Sequence, residues 1–243
     1  MQAGGQEPIL LLFDIDGTLL AGAAAAHRDA LYAALTEVHR VDLEKARSLI
    51  SPAGRTDGEI ARGLLLEAGI SAWRIDERAD DVREATCRYY AQLCPPDLSD
   101  KLVPGVPGLL GWLAGQPAAK LSLVTGNFEP VARLKLKRAG IGHHFARGQG
   151  AFGSDSEDRV ALPPLARRRA GSTGHAFPRS RTIVIGDTPR DIACARADEL
   201  RCLAVATGPY GVADLVEADA VAANVDELRT LLLDTVENLN PEN

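Results

Sequence analysis

Four short apolar runs punctuate the chain, each closed by a polar or glycine-containing turn: ILLLFDIDGT (9–18), LSLVTGN (121–127), TIVIGDTPRD (182–191) and CLAVATGPYG (202–211). Runs of consecutive aliphatics suit strands covered on both faces. Helical patterns follow the last three, over Val131–Ala139, Asp191–Ala197, Ala213–Glu217 and Val225–Leu233, and a further helix is expected from about Val160. Strands alternating with helices predict a parallel sheet between helical layers. Ligands of such sheets lie beyond the carboxyl ends of the strands, where all four polar turns fall.

The first strand breaks this rhythm. Between Leu20 and about Pro104 the patterns are helical throughout: Ala23–His39, Thr56–Ala68 and Trp73–Leu93. The second opens with Thr56-Asp57-Gly58-Glu59, a capping-box signature. Pro95-Pro96 and Val103-Pro104-Gly105 punctuate the end of the insert. The expected class is therefore α/β: a three-layer α/β/α, Rossmann-like parallel-sheet core from residues 1–20 and 100–243, with an inserted α-helical cap over 21–99. An insert after the first strand stands above the carboxyl edge of the sheet, as a lid.

Composition changes this picture little. The 243 residues suffice for a core domain with a modest second one. A net charge of −6 gives no reason to expect nucleic acid or an anionic membrane as partner. The apolar runs are too short to span a bilayer, and MQAGGQEP lacks the basic-then-apolar pattern of a secretory signal. Cys87, Cys94, Cys194 and Cys202 form no C-x-x-C pair and no zinc-spaced Cys/His cluster, which reads as reduced thiols in a cytoplasmic protein. Arg167-Arg168-Arg169 reads as a solvated helix face, and Trp73 and Trp112 as core or cap packing. A monomer and a homodimer both fit the pattern.

The chemistry lies in the turns. Asp14 and Asp16 close an apolar strand, where an unpaired buried carboxylate costs several kcal/mol. They must meet a cation or open to solvent, and Gly17 permits the turn. Asp187 ends another strand in the same way, and Asp191 follows on the opening helical turn. Such an oxygen-rich cluster suits a hard divalent cation, magnesium above all. Thr125, Gly126 and Asn127 offer a hydroxyl, backbone N–H groups and an amide to phosphoryl oxygens. Acids, a cation and phosphate donors together indicate phosphoryl transfer, in which a carboxylate can attack phosphorus.

DIDGTL, VTGN and GDTPRD, in that order, resemble the signature of the haloacid dehalogenase superfamily, in particular its phosphoglycolate phosphatase-like and beta-phosphoglucomutase-like group with a helical type 1 cap. The resemblance covers nearly the whole chain. It implies that Asp14 is the nucleophile and that Asp16 protonates the leaving oxygen, then takes a proton from water. It also implies that Asp14, the backbone carbonyl of Asp16, and Asp187 hold Mg2+, with Asp191 supporting the ion mostly through water. Thr125 and the N–H groups of Gly126 and Asn127, beside Gly17, would hold the phosphoryl group.

The family's lysine between the second and third of these motifs has no counterpart, because no lysine lies beyond Lys137. Lys135 and Lys137 fall on the helix after TGN. Arg159 is the best substitute, with Arg179 and Arg181 as replacements. In relatives a loop at Gly54-Arg55-Thr56-Asp57 reads the leaving group. Arg55 would there contact a carboxylate or phosphate, or else is a surface arginine beside a helix cap. His27, early in the first cap helix, either faces the cleft or, as the favoured reading, lies on a helix surface.

The implied activity is a Mg2+-dependent phosphatase acting on a small phosphorylated metabolite, of phosphoglycolate or sugar-phosphate type. Asp16 argues against a dehalogenase, which needs no acid for its leaving group. The same acid, and a cap whose sole lysine is Lys45, argue against a phosphonatase. A phosphomutase shares every core motif and stays open, as does, less favourably, a non-catalytic or receiver-like phosphate-binding module.

Overall fold

The computed structural model describes residues 8–43, 51–172 and 174–238. The chain starts its sheet with β1 (Ile9–Phe13), every residue of which is fully buried. The strand alternates its side chains between two separate cores. Ile9, Leu11 and Phe13 face one, and Leu10 and Leu12 the other. That is why five consecutive apolar residues are needed here, and why neither face tolerates a polar one.

Flanking β1 are β2 (Ala119–Thr125) and β4 (Thr182–Gly186), both parallel to it. With β3 (Ala151–Phe152), β5 (Arg201–Val205) and β6 (Ala220–Ala222), the order is β3-β2-β1-β4-β5-β6, all parallel. In this order the chain reverses direction of winding at β1, which opens a crevice at the carboxyl ends of β1 and β4.

Before the second strand come four cap helices, α1 (Ala24–His39), α2 (Asp57–Glu67), α3 (Ala72–Glu77) and α4 (Ala79–Leu93), and one core helix, α5 (Val106–Ala114). The remaining helices are α6 (Glu129–Arg138), α7 (Leu162–Ala170), α8 (Pro189–Ala197) and α9 (Val225–Asn238). Helices α5, α6 and α9 cover one sheet face, and α7 and α8 the other. The cap helices have their own core, in which Leu31, Leu35, Leu64, Leu65 and Val82 meet. The architecture is thus a three-layer Rossmann-like sheet with an inserted helical cap. No helix among the described residues is long and apolar enough to cross a membrane.

Several local expectations need correction. The pattern over Trp73–Leu93 is two helices, because Arg78 (φ −114°, ψ 13°) leaves helical geometry between α3 and α4. Ala213–Glu217 yields only a single 3₁₀ turn at Val212–Asp214. The helix near Val160 begins with a 3₁₀ turn at Arg159–Ala161, and α7 starts at Leu162. Strands β3 and β6 are two and three residues long, too short for a periodic signal. Helix α5 is apolar along most of its length, so its period is hidden.

Trp73 is 70% exposed, not packed. Within the Arg167–Arg169 run, Arg168 and Arg169 are exposed as expected, but Arg167 is not. Arg167 is buried, donating from Nε and Nη2 to both carboxylate oxygens of Asp198 (2.7 and 3.0 Å) and from Nη1 to the Phe177 carbonyl (2.6 Å). Arg169 pairs with Asp155.

Removing one partner of a buried pair strands the other charge, at a cost of about 3–5 kcal/mol. Asp198→Ala is therefore expected to lower the unfolding free energy by about 3 kcal/mol in a urea titration. A loss under about 0.5 kcal/mol, the usual size at a surface site, would show that Arg167 finds solvent instead.

Candidate active site

The two central strands deliver their acids to one point. The Asp14 N–H still bonds to the Ile185 carbonyl (2.9 Å), so Asp14 is the last residue under the control of the sheet. The chain then turns sharply at Gly17 (φ +94°), whose N–H donates to the Leu20 carbonyl. Opposite, Asp187 directly follows β4 and accepts from the Thr18 hydroxyl through Oδ1 (2.9 Å). Its Oδ2 is buried without a partner. A Cβ at either Gly17 or Gly208 would overlap that oxygen, so two glycines form the cradle in which it sits.

Asp191 closes a capping box with Thr188 at the start of α8: its N–H reaches the Thr188 hydroxyl (3.3 Å), and its Oδ2 accepts from the Thr188 N–H and hydroxyl. Oxygens of Asp14, Asp187 and Asp191 all lie within 4.8 Å of one another, and all three residues are buried.

Among the described residues, one cation reaches two of these carboxylates directly. Arg159, on the 3₁₀ turn capped by Asp158, reaches Asp14 Oδ1 at 3.2 Å and donates to Asp191 Oδ1. Arg179 and Arg181 are elsewhere: Arg179 pairs with Asp198, and Arg181 donates to the Pro8 carbonyl. Burial pushes the Asp14 carboxyl up, Arg159 pulls it back, and Asp191 and Asp16 push it up again, to about 6. Asp187 is pushed further, to about 8, by burial first and then by Asp191 and Asp14. Burial opposes the charge of Arg159, but Asp191 and Asp14 outweigh it and hold the guanidinium protonated.

Carboxylates held this close carry excess negative charge, and a buried lone oxygen on Asp187 lacks a donor. A hard cation with oxygen ligands fits both facts. Asp14 and Asp187 have oxygen to offer. Asp191 is already committed to Thr188 and Arg159, which suits a supporting place behind the ion.

Asp16 points to a different partner. Both of its oxygens accept from Lys135 Nζ (2.7 and 2.6 Å), and Oδ2 also accepts from Asn127 Nδ2 (2.9 Å). Burial favours the neutral acid, yet the Lys135 charge and the hydrogen bonds from Lys135 and Asn127 hold the carboxyl below its ordinary range. Lys135 lies on α6, which follows the Thr125-Gly126-Asn127 turn, and it is fully buried. Sequence reasoning missed it, although a signal was present. Val131, Ala132, Lys135, Leu136 and Ala139 form one buried stripe, and a lysine among them demands an anion. His27 is likewise buried, not on the surface. Its Nδ1 meets Lys135 (3.1 Å) and its Nε2 meets Asp57 (3.0 Å).

Above this floor the cap is seated on the core. The Asp57 N–H donates to the Gly126 carbonyl (2.8 Å), the Thr56 hydroxyl to the Glu157 carbonyl (2.6 Å), and Arg62 to the Glu157 carboxylate. A Cβ at Gly126 would overlap the Arg55 carbonyl, so only glycine lets the cap loop lie this close. The Arg55 side chain donates to Glu59 and to the Ser51 carbonyl. The cavity between cap and core, about 680 Å³, has Asp14, Asp16, Thr125, Asn127, Arg159 and Asp187 at its base. Leu31, Ile60, Leu64, Arg28 and Arg55 line its upper wall.

A carboxylate poised beside a guanidinium, an oxygen pocket for a hard cation and a helical cap over a 3-2-1-4-5-6 sheet together define a capped α/β hydrolase. The chain belongs to the haloacid dehalogenase-like hydrolases: that family's profile matches residues 11–196, and a related hydrolase profile matches 162–231. It is similar to the tyrosine-protein kinase PtkA of Mycobacterium tuberculosis, with 30% identity over 94% of this chain and 74% of that protein. It is also similar to phosphoglycolate phosphatase of Rhodospirillum rubrum, with 30% identity over 78% of this chain and 76% of that protein. The crystal structure of CbbY from Rhodobacter sphaeroides in complex with phosphate shares the fold, with a TM-score of 0.64 and 20% identity over 91% of this chain and 96% of that one.

The raised carboxyls have a thermodynamic consequence. Without metal, folded Asp14 and Asp187 bind protons that the unfolded chain has released, so stability falls as pH rises from the ordinary carboxylate range through about 6 and about 8. With chelator present, the melting temperature is expected to fall between about pH 5 and pH 8.5, and millimolar Mg2+ to reverse the loss most at the alkaline end. A chelated protein equally stable at both ends would contradict this. Gly208→Ala, by displacing Asp187, is expected to raise the half-saturating Mg2+ concentration by about tenfold or more, read from the same melting curves.

Proposed function

We propose that the protein hydrolyses phosphate monoesters of small metabolites through a covalent phosphoryl group on Asp14. The observation that carries this reading is the cluster of Asp14, Asp187 and Asp191, two of them paired with Arg159, with Asp14, Asp187 and Arg159 at the base of a cavity. An Asp14 oxygen attacks phosphorus, and the bond from phosphorus to the ester oxygen breaks with its electron pair going to that oxygen. Asp16 passes a proton to the leaving oxygen. Because Lys135 and Asn127 hold Asp16 as a carboxylate, that proton arrives with the substrate, whose phosphate has a second pKa of about 6. Water then attacks phosphorus, Asp16 takes the water's proton, and the acyl–phosphate bond breaks to restore Asp14.

Arg159 offsets the charge of Asp14 and of the incoming phosphate. Thr125, Gly126 and Asn127 line the base of the cavity, where their donors can orient the phosphoryl oxygens. Mg2+ held by Asp14, the Asp16 carbonyl and Asp187, with Asp191 behind, would supply further charge neutralisation. The cap, taken as residues 21–99, stands over the cavity, and its closure on a bound substrate would exclude bulk water and favour small molecules.

Transfer to a hydroxyl acceptor is the competing reading, suggested by the phosphomutase alternative and by the kinase name of the mycobacterial relative. It differs in what attacks the phosphorylated aspartate. The upper cavity sets apolar Leu31, Ile60 and Leu64 beside polar Arg28, Ser51 and Arg55, so the nature of the product, free phosphate or a phosphorylated alcohol, separates the two readings.

The test is phosphate release from p-nitrophenyl phosphate and from a panel of phosphorylated metabolites. Mg2+-dependent release is expected, and Asp14→Asn is expected to lower kcat by about a thousandfold or more. Release that survives Asp14→Asn, or transfer to an alcohol without free phosphate, would overturn the proposal.

A further inference from the structure

Lys135 has three ammonium protons and spends them within one small enclosure. Two contacts go to the oxygens of Asp16 and one to His27 Nδ1 at 3.1 Å. An ammonium only donates, so Nδ1 is the acceptor and the His27 ring carries its proton on Nε2. That N–H donates to Asp57 Oδ2 at 3.0 Å. The same Asp57 oxygen accepts from the Phe128 N–H at 2.7 Å. Every donor and acceptor in this row is therefore assigned.

The row also crosses a boundary. Asp16 and Lys135 belong to the core, His27 and Asp57 to cap helices α1 and α2, and Phe128 is the core residue that precedes α6. The ring of Tyr90, from α4, stands edge-on against His27 with centroids 5.5 Å apart. Lys135 does not neutralise Asp14, a place taken by Arg159. Desolvating an ammonium costs several kcal/mol, whereas a leucine in this stripe would pack without that cost. The lysine thus answers to Asp16 and to the cap.

We propose that Lys135 is a positioning residue for Asp16. Steered across the cap seam by His27 and Asp57, it fixes the Asp16 carboxylate in the orientation that serves the leaving oxygen, and does so when the cap is seated. This rests on the reading of Asp16 given above.

The experiment is a double-mutant cycle of Lys135→Met and Asp16→Asn, read on two esters. p-Nitrophenyl phosphate has a leaving group that needs little protonation, and a simple alkyl phosphate has one that needs it. Lys135→Met is expected to lower kcat on the alkyl ester about tenfold more than on the nitrophenyl ester, with KM changed less than about threefold on either. In the double variant, the loss is expected to match that of Asp16→Asn alone within about threefold, because Lys135 acts through Asp16. His27→Gln is expected to show the same pattern at smaller amplitude, and carries the test if Lys135→Met fails to fold.

Equal losses on both esters, or losses that multiply in the double variant, would assign Lys135 a purely structural place and overturn the proposal. If Asp16→Asn shows the dependence on leaving group and Lys135→Met does not, the proposal alone fails. If Asp16→Asn shows none, the reading of Asp16 as an acid fails and the proposal falls with it.

Discussion

Three buried carboxylates crowd together with one guanidinium paired to two of them, and the rest of the site is arranged so that they cannot move apart. Asp14 is pinned by its N–H bond to β4, and Asp187 by Thr18. Asp191 is pinned by the box it forms with Thr188. Gly17 and Gly208 give Asp187 a place to stand, but no side chain of theirs reaches it. Like charges held at this range repel, and with one arginine against three carboxylates Asp14 and Asp187 hold protons more tightly than usual unless a cation takes their place. The surplus is what recruits a cation. A site that was comfortable in isolation would have no such pull.

The two acids of the first strand end are kept electrically distinct. Asp14 faces Arg159 together with two competing carboxylates, and its proton affinity rises. Two residues on, Asp16 faces Lys135 and Asn127, and its affinity falls. Environments that separate neighbouring carboxyls in this way let them take different parts in one reaction. The separation is built from elements far apart in sequence: Arg159 comes from the turn before α7 and Lys135 from α6, on opposite faces of the sheet.

Much of this was legible in the chain, for a physical reason. A buried parallel strand must be apolar on both faces, so β1, β2, β4 and β5 announce themselves, and the carboxylates at their ends stand out against that background. Long-range pairing does not announce itself. Arg167 looks like a solvated arginine until Asp198, from the turn after α8, is brought beside it. Lys135 and Lys137 sit two residues apart on α6, yet one is sealed in the stripe and the other is exposed. The burial of His27 depends on Asp57 and Lys135, neither of which is its neighbour in sequence. Trp73 errs in the opposite sense, since a large apolar side chain guarantees no partner. What escapes the sequence here is which charges meet, not where the chain bends.

At Gly126 the absent side chain has a structural meaning. The Arg55 carbonyl fills the space that a methyl group would need, so the cap loop rests on bare backbone at the point where phosphate donors are gathered. One hydrogen bond, from the Asp57 N–H to the Gly126 carbonyl, clamps that contact. Any side chain at Gly126 would wedge the loop off its footing and disturb substrate recognition and phosphate binding in the same stroke.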